Sequence, residues 1–218
     1  MNVLIATRNP HKLREIMAIF RYPDVRFVSL DAFPGAPEVE EDGATFQANA
    51  VKKALTLALF TRQWTLADDS GLEVDALAGA PGVRSARYAG EPVSYEANNT
   101  KLLEALTGQP NRTARFRCVI ALASPKGRTQ VVEGVCEGVI LSEVRGTGGF
   151  GYDPLFAPKG FARTFAEMDP ATKNDISHRA RALKLAREAW APVFESSAED
   201  WPTRAVGVRM RPLVVESD

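Results

Sequence analysis

The sequence predicts an α/β fold in which a mixed β-sheet is flanked by helices. Strand-like and helix-like segments alternate through the first half of the chain, which is typical of strands joined by crossover helices. Two long β-runs, 113–124 and 129–143, then lie on either side of the turn signal Pro125-Lys126-Gly127 and indicate an antiparallel hairpin. The chain shows no internal repeat and no low-complexity block, so a solenoid or a linker-rich protein is not expected.

The first half opens with a short buried strand over 2–6. Asn9 then has the properties of a helix N-cap and Pro10 those of a first helical residue, which predicts a helix that ends at Phe20. The elements that follow are a strand over 25–30, a loop over 31–43, a helix over 44–63 and a third strand over 64–67.

Glycine and proline residues between 71 and 93 predict an irregular but ordered segment. A helix over 94–106 precedes the hairpin, and a glycine-rich loop over 146–158 follows it. Apolar residues at helical spacing predict a last helix over 175–190. Since this pattern ends at Trp190, we expect a single domain over 1–190 and a partly ordered C-terminal extension over 191–218.

The charge balance excludes several classes of protein. With 27 basic and 27 acidic side chains, the whole molecule has no electrostatic attraction for nucleic acid or for anionic membranes. No apolar stretch approaches the ~18 residues that span a bilayer, and the N-terminus lacks the pattern of a signal peptide. We therefore expect a cytoplasmic protein in which Cys118 and Cys136, both within β-runs and without metal-ligand spacing, are reduced core residues.

The first candidate site is the segment Thr7-Arg8-Asn9-Pro10-His11-Lys12, where a strand ends and a helix begins. Backbone N–H groups at a helix N-terminus carry partial positive charge, and Asn9 and Lys12 add donors, so this turn suits a phosphate or a carboxylate. The alternative is an ordinary capped helix start with a solvated lysine.

The second candidate is the carboxylate pair Asp68-Asp69, which directly follows the predicted third strand. Open α/β sheets bind ligands at the carboxyl ends of their strands, and Mg²⁺ uses one or two carboxylates together with water and substrate phosphates. The acidic loop that contains Glu38, Glu40 and Glu41 could supply a further ligand. The alternative interpretation is a tight turn beside a solvated loop.

Two further segments suggest a binding site. The glycine-rich run from 146 to 154 matches GxGxxG but does not open a helix, so we reject a dinucleotide fingerprint. It instead predicts a loop in which Phe150 or Tyr152 stacks on a flat ligand, or else a plain flexible loop. His178 and Arg179 begin the last predicted helix, where cations oppose the macrodipole; a polar or anionic ligand explains this better than stability does, although such residues are often simply exposed.

Taken together, these segments resemble the inosine/xanthosine triphosphate pyrophosphatase family. The resemblance covers about residues 2 to 190 and is carried by the segments A-T-R-N-P-H-K, E-E-D-G-A-T-F-x-x-N-A, A-D-D-S-G-L, G-A-P-G-V-R-S-A-R-Y-A-G, G-T-G-G-F-G-Y-D-P and S-H-R. It implies an elongated fold with a central mixed sheet, two lobes with the substrate cleft between them, and a homodimer. The implied reaction is Mg²⁺-dependent hydrolysis of ITP, dITP and XTP to the monophosphate and pyrophosphate.

The resemblance also implies roles for single residues. Asp69 would be the general base and a Mg²⁺ ligand, and Glu40 would complete the metal site, although Glu38 or Glu41 could serve instead. The residues implied to hold the triphosphate are Thr7, Arg8, Asn9, Pro10, His11 and Lys12. The other implied substrate contacts are Ser70, Phe150, Gly151, Tyr152, Asp153, Lys173, His178 and Arg179.

Within this set, the loop residues 150–153 would enclose the sugar and the base, Lys173 would reach the substrate, and His178 with Arg179 would read the 6-oxo edge of the purine. One alternative is a Maf-like pyrophosphatase for modified pyrimidine or methylated nucleotides, whose fold is similar. Another is a nucleotide- or RNA-binding module without catalysis. The S-H-R and F-G-Y-D segments favour the purine enzyme, and Asp69 favours catalysis because a pure binder gains nothing from a carboxylate near phosphate.

Overall fold

The computed structural model describes residues 1–195 and contains a six-stranded mixed sheet. Its strands are β1 (Asn2–Ile5), β2 (Arg26–Ser29), β3 (Trp64–Val74), β4 (Thr113–Ala123), β5 (Thr129–Ile140) and β6 (Phe156–Pro158), in the spatial order β2-β1-β3-β4-β5-β6. β1 pairs in parallel with β2 and β3, whereas β3, β4, β5 and β6 are successively antiparallel. The predicted mixed sheet and the predicted hairpin are both confirmed.

Five α-helices flank the sheet in the described part of the chain: α1 (Pro10–Ile19), α2 (Phe46–Thr61), α3 (Tyr95–Ala105), α4 (Pro170–Ile176) and α5 (His178–Glu195). The first three begin where a side-chain oxygen accepts hydrogen bonds from N–H groups of the first turn, at Asn9, Thr45 and Ser94. The helix start predicted from Asn9 and Pro10 is therefore confirmed.

Two hydrophobic regions lie along the long strands β3 to β5. Near one end of the sheet, α1 and α5 pack on one face and α2 packs on the other, around residues such as Ile5, Leu66 and Ala121. Toward the other end, the second half of β3 and the start of β4 pack with α3 and the segment after β6, around Leu72 and Phe116. The middle of β3 therefore lies between two packed regions.

The third strand is longer than predicted, and the prediction that Asp68 and Asp69 follow it is wrong. β3 continues to Val74 and pairs with β4 over its whole length, with Asp69 opposite Val119. β1, in contrast, pairs with β3 only as far as Leu66. The two carboxylates thus lie inside a strand, but beyond the end of its neighbour, where that side of β3 is open to a ligand.

The last predicted helix consists of two helices. Asp169 caps α4 and Pro170 is its first residue, a start signal that lies upstream of the predicted position. Ser177 has an extended backbone (φ −66°, ψ 159°) and separates α4 from α5. Lys173 therefore lies in the last turn of α4, while His178 opens α5. The prediction of a single last helix is therefore wrong.

Two smaller differences from the prediction lie in the second half of the described chain. The loop predicted over 146–158 includes the edge strand β6, which pairs with β5 at Gly138, where a Cβ would lie 2.5 Å from the Phe156 ring. α5 extends to Glu195 rather than Trp190, with Val193 and Phe194 buried. The predicted extension covers 191–218, and its part from 196 onward lies outside the described residues.

The cysteines agree with the sequence-based expectation. Cys118 and Cys136 are both buried and free. Within residues 1–195, none of the helices combines the length and apolar character needed to cross a bilayer.

Candidate active site

Asp68 lies in the part of β3 beyond the end of β1 and is 1% exposed. Its Oδ2 atom lies 3.1 Å from Lys12 Nζ, on α1, and 3.2 Å from Arg179 Nη2, on α5. Although burial opposes the charged carboxylate, these two cations hold the pKa of Asp68 far below its usual range. The carboxylate therefore stays ionised and joins the two helices at the cleft.

An alternating series of buried charges continues from Arg179 to the glycine-rich loop. Arg179 donates to Glu15, whose other oxygen lies 2.9 Å from Lys173 Nζ. Lys173 in turn lies 2.6 Å from Asp153 Oδ2, which also accepts from the backbone N–H of Phe150 at 2.8 Å. Sequence reasoning missed Glu15; the only available signal was its position one helical turn after Lys12.

Asp69 points to a different side of the cleft from Asp68 and has its own partners. Asn49 Nδ2 donates to its Oδ2 at 2.9 Å, and the backbone N–H of Ser70 donates to its Oδ1 at 2.9 Å. Burial, together with the negative charge of Glu41, raises the pKa of Asp69 to about 6. A carboxylate in this range can accept a proton near neutral pH.

The acidic loop approaches Asp69 through Glu41. Glu41 forms an ion pair with Lys53 of α2, and Lys53 also donates to the backbone oxygen of Asp68 at 3.0 Å. The cleft contains two adjoining cavities. Glu41 lines both of them and Glu38 lines one, whereas Glu40 lines neither. Of the three alternatives for a metal ligand, the arrangement of these residues favours Glu41. Lys53 was not identified from the sequence because a lysine on a long helix looks like an exposed residue.

One end of the cleft is a cavity of about 250 Å³ with basic and acidic walls. The predicted residues that line it are Thr7, Arg8, Asn9, Lys12, Glu38 and Glu41, and Lys53 joins them. Asn9 Oδ1 already accepts from the backbone N–H groups of His11 and Lys12. Two N–H groups of this helix start are therefore already paired with Asn9, and the side chains of Arg8, Lys12 and Lys53 bring positive charge to the cavity. Pro10 and His11 do not line this cavity.

The other end is a cavity of about 100 Å³ that adjoins the first. The predicted residues that line it are Asn9, Lys12, Asp69, Ser70, Phe150, Gly151, Tyr152, Asp153, Lys173, His178 and Arg179. Of the two predicted aromatic residues, Tyr152 is 3% exposed and donates its hydroxyl to the backbone oxygen of Ser85 at 2.8 Å. Its hydroxyl thus anchors the loop, while Phe150 is the more accessible ring.

Two basic side chains at this end have nitrogen atoms without hydrogen-bond partners. Nδ1 of His178 and Nε of Arg179 are buried and have no hydrogen-bond partner. Burial, followed by the positive charges of Arg179 and Lys173, lowers the pKa of His178 well below its usual value, so its ring is neutral. The ring also stacks on Phe116, with centroids 4.6 Å apart. Buried polar atoms are normally satisfied, so these two nitrogens indicate the polar edge of a ligand.

Residues 1–195 contain no group of three or more His, Cys, Asp or Glu side chains that could hold a metal ion. Three carboxylates, Asp69, Glu41 and Asp153, do line the same cavity, and Asp153 is paired with Lys173. Carboxylate oxygens are ligands that Mg²⁺ prefers; it takes one or two of them and fills its other positions with water and substrate phosphate oxygens.

Known proteins are similar to this chain in both sequence and fold. The model of the Ham1 family matches residues 3–189. A protein of Desulforamulus reducens named dITP/XTP pyrophosphatase is 58% identical over 86% of this chain and 94% of its own length. A protein of Geobacter sulfurreducens with the same name is 55% identical over 85% of this chain and 94% of its own.

Among solved structures, the Ham1 protein of Staphylococcus aureus is 39% identical, with a TM-score of 0.81 over 88% of this chain and 99% of that chain. A HAM1 protein of Coxiella burnetii is 41% identical, with a TM-score of 0.82 over the same shares. A family match over most of the chain, relatives with more than half of their residues identical and closely similar structures agree. The chain belongs to the Ham1 family.

Proposed function

We propose that the protein hydrolyses the non-standard purine nucleoside triphosphates ITP, dITP and XTP to the monophosphate and pyrophosphate. One observation carries this proposal: Lys12, at the cavity with basic walls, and Arg179, at the cavity with aromatic walls, contact the same buried oxygen of Asp68. A single ligand with an anionic end and a flat polar end fits both cavities. The names of the relatives, dITP/XTP pyrophosphatase, support the choice of nucleotide.

The cations at the larger cavity bind the triphosphate. Arg8, Lys12 and Lys53 line this cavity and bring positive charge to an oxygen-rich anion. Although burial opposes its charge, Asp68 raises the pKa of Lys12, so Lys12 remains protonated at neutral pH. Its ammonium group is held by Asp68 before substrate binds, which reduces the entropy lost on binding.

Asp69 acts as the general base. It takes a proton from water as the water oxygen bonds to the α-phosphorus of the nucleotide; the bond from the α-phosphorus to the oxygen that bridges it to the β-phosphorus breaks, and pyrophosphate leaves with the electron pair. The hydrogen bonds from Asn49 and Ser70 fix the direction of the Asp69 carboxylate. A base fixed before the reaction can hold water in line with the phosphorus, which lowers the entropic part of the barrier.

We further propose that Mg²⁺ is the cofactor and that Asp69 and Glu41 hold it. When bound, the cation neutralises phosphate charge that the protein side chains leave unpaired. Two carboxylates leave several coordination positions for water and for the substrate.

The narrow cavity selects the base. Arg179 Nε–H is a donor without a partner, and a 6-oxo purine presents an acceptor to it, whereas adenine presents an amino donor. A buried donor that stays unpaired would disfavour adenine by roughly 1–3 kcal/mol. Phe150 lies over this region, with Lys173 Nζ 4.9 Å from its ring centroid.

The test is pyrophosphate release from ITP, XTP, GTP and ATP, each with Mg²⁺ and with EDTA, using Asp69→Asn as the inactive control. We expect Mg²⁺-dependent release from ITP and XTP and little from GTP or ATP. The contact with Arg179 explains only the rejection of ATP, because guanine also carries a 6-oxo group. Equal rates on all four nucleotides would overturn the specificity. No release from any of them would overturn the proposed function and favour a Maf-like enzyme or a binding module.

We also propose, from the family resemblance, that the enzyme acts as a homodimer in the cytoplasm. Size-exclusion chromatography with light scattering tests the first point, and a single species of monomer mass would contradict it. Cell fractionation tests the second, and recovery of the protein in the membrane fraction would contradict it.

A further inference from the structure

Asn49 is a buried residue of α2, 1% exposed, and both of its polar atoms are used. Its Nδ2 donates to Asp69 Oδ2 at 2.9 Å, and its Oδ1 accepts from the backbone N–H of Gly43 at 2.7 Å. Because a backbone N–H can only donate, the contact with Gly43 fixes which amide atom is the oxygen. The NH₂ group must then face the carboxylate.

The contact with Gly43 brings the acidic loop very close to α2. A Cβ at Gly43 would lie 2.6 Å from Asn49 Oδ1 and 2.9 Å from the Cβ of Ala48, so the approach requires glycine. Glu41 lies two residues before this contact. Asn49 therefore fixes, through one side chain, both the base on β3 and the loop that carries the second carboxylate.

A second connection lies one helical turn further along α2. Lys53 pairs with Glu41 and donates to the backbone oxygen of Asp68 at 3.0 Å. Residues four apart on a helix share a face, so Asn49 and Lys53 join the same two segments at two levels. Lys53 lines the cavity and can contact phosphate, whereas Asn49 lines neither cavity.

We propose that Asn49 is a positioning residue that holds the Asp69 carboxylate and the Glu41 loop at the separation needed for the divalent cation and the attacking water. This inference rests on the proposed function. Asn49 itself touches neither substrate nor cation; it acts through Asp69 and through the loop backbone.

Two variants separate this role from a merely structural one. Asn49→Ala removes both hydrogen bonds. Asn49→Asp keeps an acceptor for the Gly43 N–H but places a carboxylate where Asp69 now receives a hydrogen bond. Since misplacement of a base by about 1 Å can cost about 10²-fold, we expect kcat on ITP to fall roughly 10- to 100-fold in both variants, with KM changed less than about threefold.

The matched control is Asn98→Ala. Asn98 is equally buried and also ties a loop to a helix, since it accepts from Ala89 N at 2.7 Å and donates to the backbone oxygen of Ala86 at 2.9 Å, but it has no contact with Asp69. Binding of Mn²⁺ alone, followed by electron paramagnetic resonance, provides a readout besides activity. We expect Asn49→Ala to weaken Mn²⁺ binding about tenfold and Asn98→Ala to leave it unchanged, while thermal unfolding shows comparable losses of stability.

The outcomes distinguish this inference from the proposed function. If wild-type protein shows no Mg²⁺-dependent pyrophosphate release, the proposed function fails and the inference fails with it. If the wild type is active and Asn49→Ala keeps its kcat and its Mn²⁺ affinity, only the inference is overturned. If Asn49→Ala does not fold, Asn49→Asp provides the test. A wild-type kcat in Asn49→Asp would show that the hydrogen bond to Gly43 is sufficient for activity. It would overturn the hydrogen bond to Asp69 as the reason for the role of Asn49.

Discussion

The ammonium group of Lys12 lies 3.1 Å from the Oδ2 atom of Asp68, in a contact from which solvent is nearly excluded. Removing one charge from a buried pair leaves the other charge without compensation. Arg179 shares the same oxygen and also pairs with Glu15, so Asp68→Asn would remove the carboxylate that Lys12 pairs with and one of the two that Arg179 pairs with. We expect this variant to lower the free energy of unfolding by about 3–5 kcal/mol, measured by urea denaturation.

The control is Asp42→Asn, which removes the exposed pair that Asp42 forms with Lys52. Solvent screens that pair, so we expect no resolvable change in the urea midpoint. Equal midpoints for the two variants would show that the buried network of Asp68 does not stabilise the fold.

The state of ionisation of Asp69 should control the pH dependence of activity. A general base works only as the carboxylate, so kcat/KM on ITP should fall as the pH drops through the pKa of Asp69, which burial and Glu41 raise to about 6. A bound cation favours the charged form and lowers this pKa. We therefore expect an acid limb near pH 6 at low Mg²⁺ that moves to lower pH as the Mg²⁺ concentration rises.

The matched variant for this prediction is Asp69→Asn, which keeps the shape of the side chain and removes the base. We expect it to abolish turnover while nucleotide affinity stays largely intact. More than about a tenth of wild-type activity in this variant would contradict the role of Asp69 as the base. So would an acid limb of the wild-type enzyme whose position does not change with the Mg²⁺ concentration.

The positive charge of Arg179 alone should not be enough to select ITP over ATP. Its guanidinium group contacts Glu15, Asp68 and Ser70 at once and leaves Nε unpartnered. A lysine carries the charge but lacks the planar fork that makes these contacts simultaneously. We expect Arg179→Lys to reduce the ratio of kcat/KM values for ITP over ATP at least tenfold, as the loss of about 1.4 kcal/mol of discrimination requires.

Steady-state kinetics on both nucleotides measure that ratio. An unchanged ratio with equal losses on ITP and ATP would mean that Arg179 supports the structure of the site but does not select the base.

Local signals predicted much of the fold. The N-cap at Asn9, the proline that follows it and the turn between the long β-runs depend on neighbouring residues, and each predicted element is present. The extension of β3 could not be predicted in this way. Asp68, Asp69 and Ser70 are poor strand formers, and Asp68 and Ser70 accept hydrogen bonds from Arg179, more than a hundred positions away in the sequence.

The same reasoning explains which residues of the site were missed. Glu15, Asn49 and Lys53 lie on helices, where charged and amide side chains are most often solvated. Their importance depends on which strand and loop pack against those helices. The resemblance to a known family supplied Glu40 as metal ligand, while the geometry of the cavity favours Glu41, one residue away.

The ring of Phe150 stacks on the imidazole of His11, with centroids 5.1 Å apart and planes 25° apart. Arg14 donates to His11 Nδ1 at 2.9 Å and holds the ring in place. An aromatic pair of this kind contributes ~0.5–1.5 kcal/mol, so losing it should leave Phe150 less well fixed for stacking on a base. We expect His11→Ala to raise KM for ITP about two- to tenfold with kcat changed less than about twofold. His11→Phe keeps an aromatic partner and should keep KM close to the wild-type value. If His11→Phe instead raises KM as much as His11→Ala does, stacking on Phe150 is not how His11 acts.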